Sequence, residues 1–543
     1  MKKIYYSEKT RSALFVLALA AITLAGGYYI YACVKYAPWG FSDSTTYLAS
    51  ARNLASGAGL GVFNADGSFS PLQIFAPLYP AFLSLFASGD LDLVSTAGVL
   101  DILLFMTLIG ANGWLFLRSS QSKIGALCFA GLITFTPALI NAYTSIMSEP
   151  LAITLGTTGF LLLLSSLSQT SPHKMVLSAI LIGLSMLTRY AFVSYALAGF
   201  LSILLLLDAP LKKRLKRGLV FSLLSLLPLA VWLLIQLFFT RSVGARHYSL
   251  DFSLPEKISQ FFGMMIDVLK YWLPYRTNLI PGLSAEVFRP ILFILLASSV
   301  LITAFLLIKK RKKTIQEKYR WGLLAGLTLL FVAYTLMLLV TFSVSRELIS
   351  VDERMLSPLI PILYGILLVG SLVIDQSFLP KFSLPVITLL IVLLFVLFNY
   401  RFMRTHPSEI GIFPNGYTSS IWKENPLLNG EINVPEGRPL ISNAPDIVLF
   451  YLNRPAYYLS SDGSAEDMEL SIHDERRIQS MLQEECAVFL LFDPNSAQRY
   501  EQLPNPISDA DLEKVVTRYT PVYSGEGSSM ILEETCPTDA PGY

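Results

Sequence analysis

The sequence predicts a polytopic α-helical membrane protein of about eleven transmembrane helices, followed by an extracytoplasmic α/β domain. Three observations predict it. Hydrophobic residues make up 53% of the 543-residue chain and charged residues only 15%, with a mean hydropathy of +0.55, too apolar for an ordinary soluble protein. Apolar runs near the ~20 residues that cross ~30 Å of hydrocarbon recur through the first three quarters of the chain. From about Arg401 those runs shorten, and Pro, Gly, Asn, Asp and Glu rise.

Taken in order, the expected spans are Ser12–Cys33, Val94–Leu117, Ile124–Asn141, Pro150–Leu167, Met175–Thr188, Phe192–Leu207, Leu219–Phe239, Pro290–Ile308, Trp321–Phe342, Leu356–Ile374 and Leu384–Asn399. The block Met175–Leu207 is too long for one span and folds back as a hairpin at Thr188-Arg189-Tyr190. Lys and Arg cluster at the N-terminus, at Arg118–Lys123, at His173-Lys174, at Lys212–Arg217 and at Lys309–Lys313. With eleven spans all of these fall on one side, so the N-terminus is expected in the cytoplasm and the C-terminus outside. The N-terminal basic residues precede a long apolar run with no convincing cleavage site, which reads as an anchor rather than a removed signal. The outer segments are then Gly40–Asp92, Ala142–Glu149, Thr240–Arg289, Ser343–Arg354 and everything after Tyr400. A net charge of +2 gives no bias toward nucleic acid.

In the first outer loop, residues 35–93, apolar positions Tyr47, Leu48, Ala51, Leu54 and Ala55 follow Asp43 with helical spacing and a polar opposite face. That pattern predicts a helix lying on the membrane surface. A Gly-rich turn follows at Gly57–Gly61, and a second interfacial helix is expected from about Pro77. In residues 401–543, Leu440–Ser442, Ala487–Phe492 and Met530–Leu532 read as buried strands, and Pro445–Leu452 and Asp474–Gln483 as helices. The division is therefore a membrane domain over 1–400 and an outer domain over 401–543. Cys33, Cys128, Cys486 and Cys536 have neither zinc-ligand nor CxxC spacing. Cys486 and Cys536 share the outer domain, where a disulfide or two free thiols are both open.

Three acids mark the outer ends of spans: Asp43, Glu149 and Asp352. Ionisable groups there are functional candidates, because the membrane makes them costly. Each also has a structural reading: Asp43 as the N-cap of its helix, Glu149 beside Pro150 as partner of a helix dipole, and Asp352 with Glu353 as partners of Arg354 or Arg346. Arg189, Arg246, His247, Lys270, Arg276, Arg346 and Arg354 lie on the outer side against the positive-inside trend. Guanidinium forks suit phosphate oxygens, and snorkelling to lipid headgroups is their alternative use. His247 has no second histidine nearby to make a metal pair.

These residues carry a resemblance to the GT-C superfamily of polyprenyl-phosphate-sugar-dependent glycosyltransferases, toward bacterial relatives of the protein O-mannosyltransferases and of the lipid A aminoarabinose transferase. The matching stretches are Asp43 with Tyr47 and Ala51-Arg52, Ser148-Glu149-Pro150-Leu151, Leu187-Thr188-Arg189-Tyr190, and Asp352-Glu353-Arg354-Met355-Leu356-Ser357-Pro358. The order of spans first and an outer α/β domain last also matches. One departure stands out: Ser44 follows Asp43 where protein O-mannosyltransferases typically carry an Asp-Glu pair. The resemblance implies an inverting glycosyltransferase that moves a sugar from a polyprenyl-phosphate donor to a lipid, glycan or protein hydroxyl at the outer face of a bacterial plasma membrane. It implies Asp43 as general base, and Arg189, Arg354, Lys270 and Arg276 as donor-phosphate ligands. Tyr47, Arg246, His247 and Asp352 are further cavity candidates. A divalent metal ion, held by Glu149 or another acid through oxygen ligands, is the one candidate cofactor. The competing classes are a lipid-linked-saccharide flippase or polymerase, which calls for charges deep within several spans, and a non-catalytic receptor or scaffold. Asp101 is the one acid well inside a span.

Overall fold

The computed structural model describes residues 8–87, 92–169, 171–240, 253–272, 315–345, 351–378, 399, 404, 416–460, 469–471, 474–492, 509–519, 521–525 and 527–532. Five helices among them are long and apolar enough to cross a membrane: Thr10–Val34, Leu93–Ser120, Glu149–Leu167, Leu211–Thr240 and Glu317–Val344. Four shorter apolar helices accompany these.

The chain opens with α1 (Glu8–Val34) and α2 (Ser42–Ala55), then a hairpin of β1 (Gly61–Phe63) and β2 (Phe69–Pro71), then α3 (Leu78–Ser84). The helices α4 (Leu93–Ser120), α5 (Lys123–Thr134), α6 (Pro137–Ala142), α7 (Glu149–Gln169), α8 (Pro172–Thr188), α9 (Val193–Leu206), α10 (Leu211–Thr240) and α11 (Leu254–Trp272) follow. Next come α12 (Ile315–Val344), the single turn α13 (Glu353–Leu356), and α14 (Leu359–Phe378). The expected span Ile124–Asn141 is two helices, because Pro137 cannot donate to the α5 ladder and instead opens α6. The hairpin at Arg189 is present: α8 ends at Thr188, and a 3₁₀ turn over Tyr190–Phe192 leads into α9. The segment Thr240–Arg289, expected as an outer loop, contains α11, whose apolar Phe261 and Met265 are buried. The expected spans Pro290–Ile308 and Leu384–Asn399 lie outside the described residues, Asn399 excepted.

After α15 (Ser420–Lys423) come β3 (Leu440–Ser442), α16 (Pro445–Leu452), β4 (Tyr457–Ser460), β5 (Glu469–Ser471), α17 (Glu475–Gln483), β6 (Val488–Phe492), α18 (Asp509–Arg518), β7 (Tyr523–Gly525) and β8 (Ser528–Ile531). They form a six-stranded sheet in the order β5-β4-β3-β6-β8-β7. Pairing is parallel from β5 to β6 and antiparallel through β8 and β7. Every residue of β3 and β6 is buried, as for strands covered on both faces. Alternate side chains of β6 serve different cores. Phe489 and Leu491 pack with Ile478, Leu482 and Val515 of the outlying helices. Val488, Leu490 and Phe492 join Tyr47, Leu48, Tyr79 and Ile146 of the helical part. One face of the sheet thus shares a core with α2 and α3. Cys486 is disulfide-bonded, whereas Cys33 and Cys128 are free and buried. Cys536 lies outside the described residues.

Helix α2 departs from the expected surface helix. Ser44, Thr45, Ser50 and Asn53, on what reads as its polar side, are buried with Tyr47, Leu48 and Ala51. Helix α16 and the neighbouring loops cover it on the side where solvent was expected: Thr45 Oγ1 donates to the Asp446 carbonyl at 3.3 Å and Asn53 Nδ2 to the Gly61 carbonyl at 2.9 Å.

Candidate active site

Two loop segments run side by side just before the site. Trp39 N donates to the Thr144 carbonyl at 2.8 Å, and Ile146 N donates to the Trp39 carbonyl at 2.8 Å. This short parallel bridge fixes how α2 and α7 begin relative to each other. Phe41 precedes α2 in extended conformation, and Ser44 caps the turn: its Oγ accepts from Phe41 N at 2.9 Å and donates to the Ile146 carbonyl at 2.8 Å. Ser44 is fully buried, so the residue that departs from the Asp-Glu pattern ties the two segments together. Asp43 sits in the first turn of α2 but is not its cap. Its carboxylate turns instead to Arg354, whose Nη2 donates to Oδ2 at 2.7 Å.

Glu149 opens α7 and is 1% exposed. Its Oε1 accepts from Arg354 Nε at 3.0 Å and also pairs with Arg189 Nη1. Arg189 reaches it because the backbone becomes extended as α8 ends, turning this one residue out of an apolar hairpin. Arg354 reaches it from α13, whose first turn is capped by Asp352: the Asp352 carboxylate accepts from Met355 N at 2.8 Å. The result is an Asp43–Arg354–Glu149–Arg189 chain, with two carboxylates and two guanidiniums alternating from the half-open side inward. Arg354 keeps 40% of its side chain accessible and Asp43 29%, so the outer half of the chain can meet a ligand while Glu149 cannot. Burial opposes the charge on Arg354, but Glu149 and Asp43 outweigh it and hold the guanidinium above its ordinary value. Tyr47 backs the cluster, its hydroxyl 3.1 Å from Ser148 Oγ. Burial, with the charges of Glu149 and Asp43, pushes its phenol well above the ordinary tyrosine value, so it stays neutral and acts only through hydrogen bonds.

Of the residues expected from sequence, Asp43, Glu149, Arg189, Arg354 and Tyr47 therefore come together. Asp352 is next to them as the cap that places Arg354. Lys270 belongs to α11, with its side chain outside the described residues. Arg246, His247, Arg276 and Arg346 also lie outside them. A metal on Glu149 Oε1 does not fit, since that oxygen already faces two guanidiniums, and among the described residues no three His, Cys, Asp or Glu side chains gather as a ligand set. A second set of contacts surrounds the turn that carries Asp43, made by residues far along the chain. Ser42 Oγ donates to Asp446 Oδ2 at 2.6 Å, and Tyr417 OH donates to the same oxygen at 3.4 Å. Their one local signal is the Pro-Asp opening of α16, which reads as an ordinary first turn.

The cluster thus lies where α2 and α7 begin, where α8 ends and where α13 starts, beside the mixed sheet. No family model matches the sequence, and no curated protein matches it. Among solved structures, the chain is similar to ArnT from Cupriavidus metallidurans in the apo state, with a TM-score of 0.55 and 15% identity over 97% of this chain and 98% of that one. ArnT bound to undecaprenyl phosphate matches with a TM-score of 0.53 and 14% identity over the same shares, 97% and 98%. The Archaeoglobus fulgidus oligosaccharyltransferase tethered with an acceptor peptide containing the NVT sequon matches at 0.50 and 12%, over 95% of this chain and 73% of that one. At these identities the likeness is one of fold.

Proposed function

We propose that this chain is an inverting glycosyltransferase that takes a sugar from a polyprenyl-phosphate donor and passes it to an acceptor hydroxyl at the outer face of a bacterial plasma membrane. The observation that carries the reading is Arg354 bridging Asp43 and Glu149, with Arg189 on the same glutamate. A fold shared with a protein solved with undecaprenyl phosphate supports it. The side of the membrane is read from the Lys/Arg-rich loops, with the N-terminus in the cytoplasm and residues 401–543 outside.

Asp43 accepts the proton of the acceptor hydroxyl, whose oxygen attacks the anomeric carbon as the bond from that carbon to the phosphate oxygen breaks. The leaving polyprenyl phosphate takes the bonding electrons. Arg354 has N–H groups beyond the two it gives to Asp43 and Glu149, and these meet the developing phosphate charge, with Arg189 behind. Glu149 holds both forks in place and takes no proton. A retaining double displacement would need two carboxyl groups flanking the sugar at about 5–5.5 Å. Glu149, enclosed and carrying two arginines, is not placed for that role.

The test is incubation of the purified protein with labelled polyprenyl-phosphate sugars and candidate lipid, glycan and protein acceptors. The reading predicts labelled acceptor of inverted anomeric configuration and one free polyprenyl phosphate per transfer. Movement of the intact lipid-linked sugar across a vesicle membrane with no transfer would contradict it.

A further inference from the structure

The segment that delivers Asp43 is gripped from two sides. On one side is the second outer loop, through Trp39 and Ser44 as described. On the other are residues from the C-terminal part of the chain. Tyr417 N donates to the Gly40 carbonyl at 2.8 Å, and Thr418 Oγ1 donates to the Pro38 carbonyl at 2.7 Å. Gly416 has a positive φ of 90°, and a Cβ there would stand 2.3 Å from the Gly40 oxygen, so only glycine allows the approach. Helix α16 then lies along α2: the Asp446 carboxylate accepts from Ser42, the Asp446 carbonyl accepts from Thr45 Oγ1 at 3.3 Å, and Asn453 Oδ1 accepts from Arg52 at 3.4 Å.

We propose that Asp446 is a positioning residue for transfer: through Ser42 it fixes the first turn of α2, and with it the direction in which Asp43 meets the acceptor. The inference rests on the reading of Asp43 as the base. Asp446 is poorly placed to serve stability alone. It is partly buried beside a second carboxylate, and burial, with the charge of Asp43, pushes its carboxyl above the ordinary aspartate value against the hydrogen bonds from Ser42 and Tyr417. Among the described residues, the hydrogen-bond partners of its carboxylate are Ser42 and Tyr417, both neutral. Ser42 is exposed and neighbours Asp43, so a shift of its Oγ passes directly to the base.

The experiment compares D446A, D446N, S42A and the S42A/D446A pair in the transfer assay, with kcat and donor KM measured separately and thermal unfolding alongside. D446A is expected to lower kcat on the order of tenfold to a hundredfold, the cost of a misplaced reacting group, with donor KM near that of the parent. D446N keeps an acceptor for Ser42 and should recover most of the rate. S42A removes the same bond from an exposed position that does not endanger folding, so it should lower kcat too, and the pair should lose no more than D446A. Parent-like kcat in S42A and D446A, losses that multiply in the pair, or a fall in unfolding temperature with kcat unchanged would each overturn the inference. D43N in the same assay separates the two claims. An inactive D43N beside a parent-like D446A removes only the positioning role, whereas an active D43N removes the base itself.

Discussion

Replacing Glu149 by Gln probes the part of the site that no ligand can reach. Gln keeps the length and an acceptor oxygen but removes the charge that two guanidiniums share. Breaking a buried ion pair by removing one partner costs about 3–5 kcal/mol, because the other charge is left uncompensated. The geometry places this variant at the lower end. Arg354 keeps Asp43 at 2.7 Å and is 40% exposed, so most of its charge remains served. Arg189 is 22% exposed and loses the carboxylate it pairs with. A loss of about 3 kcal/mol follows for E149Q. Activity should fall as well, since the Arg354 fork loses one of its two anchors. The assay is reversible thermal or denaturant unfolding of detergent-purified parent and variant, followed by donor binding. Stability within about 0.5 kcal/mol of the parent, the range of an ordinary surface change, would refute the claim that Glu149 holds the two arginines.

Three further outcomes follow from the same contacts. S44A removes the acceptor for Phe41 N and the donor to Ile146, and should cost about 1–2 kcal/mol, the usual loss for a helix cap; S44E, which restores the Asp-Glu pair, should be worse, because a carboxylate would enter a fully buried site. G416A forces a side chain into left-handed backbone and onto the Gly40 carbonyl, and should lower stability by about 1–3 kcal/mol and loosen the C-terminal part, read as protease sensitivity after Arg401. K423C should react with an impermeant thiol reagent in intact cells and K213C should not, both positions being exposed; the reverse pattern would invert the membrane orientation.

The sequence carried the long helices well because one physical rule governs them: a run such as Val94–Leu117 must hide its backbone polar groups in hydrocarbon, and it appears as Leu93–Ser120. The break at Arg189 was legible for the same reason, a lone guanidinium in an apolar block. The strands of β3 and β6 and the helix Pro445–Leu452 were legible from continuous apolar runs and from proline in a first turn. Other features depend on partners far along the chain. Tyr457–Ser460 is a strand because β3 is there to pair with it, and Glu469–Ser471 because β4 is. Helix α2 reads as amphipathic, yet its polar face is buried because segments more than 100 residues away supply its hydrogen bonds. Asp43, Glu149, Arg189 and Arg354 were legible as candidates, being charges where charge is costly. Their sharing of one chain of ion pairs, and the approach of Asp446, depend on the tertiary fold.

The most direct test of the account is the single-turnover transfer rate of D43N, measured beside donor affinity. Asn fits the first turn of α2 and can still accept from Arg354, but it cannot take a proton at the pH of the reaction. The account predicts a rate lower on the order of 10²–10⁴-fold, with donor binding and expression close to those of the parent. A D43N protein that transfers sugar at most of the parent rate would contradict it.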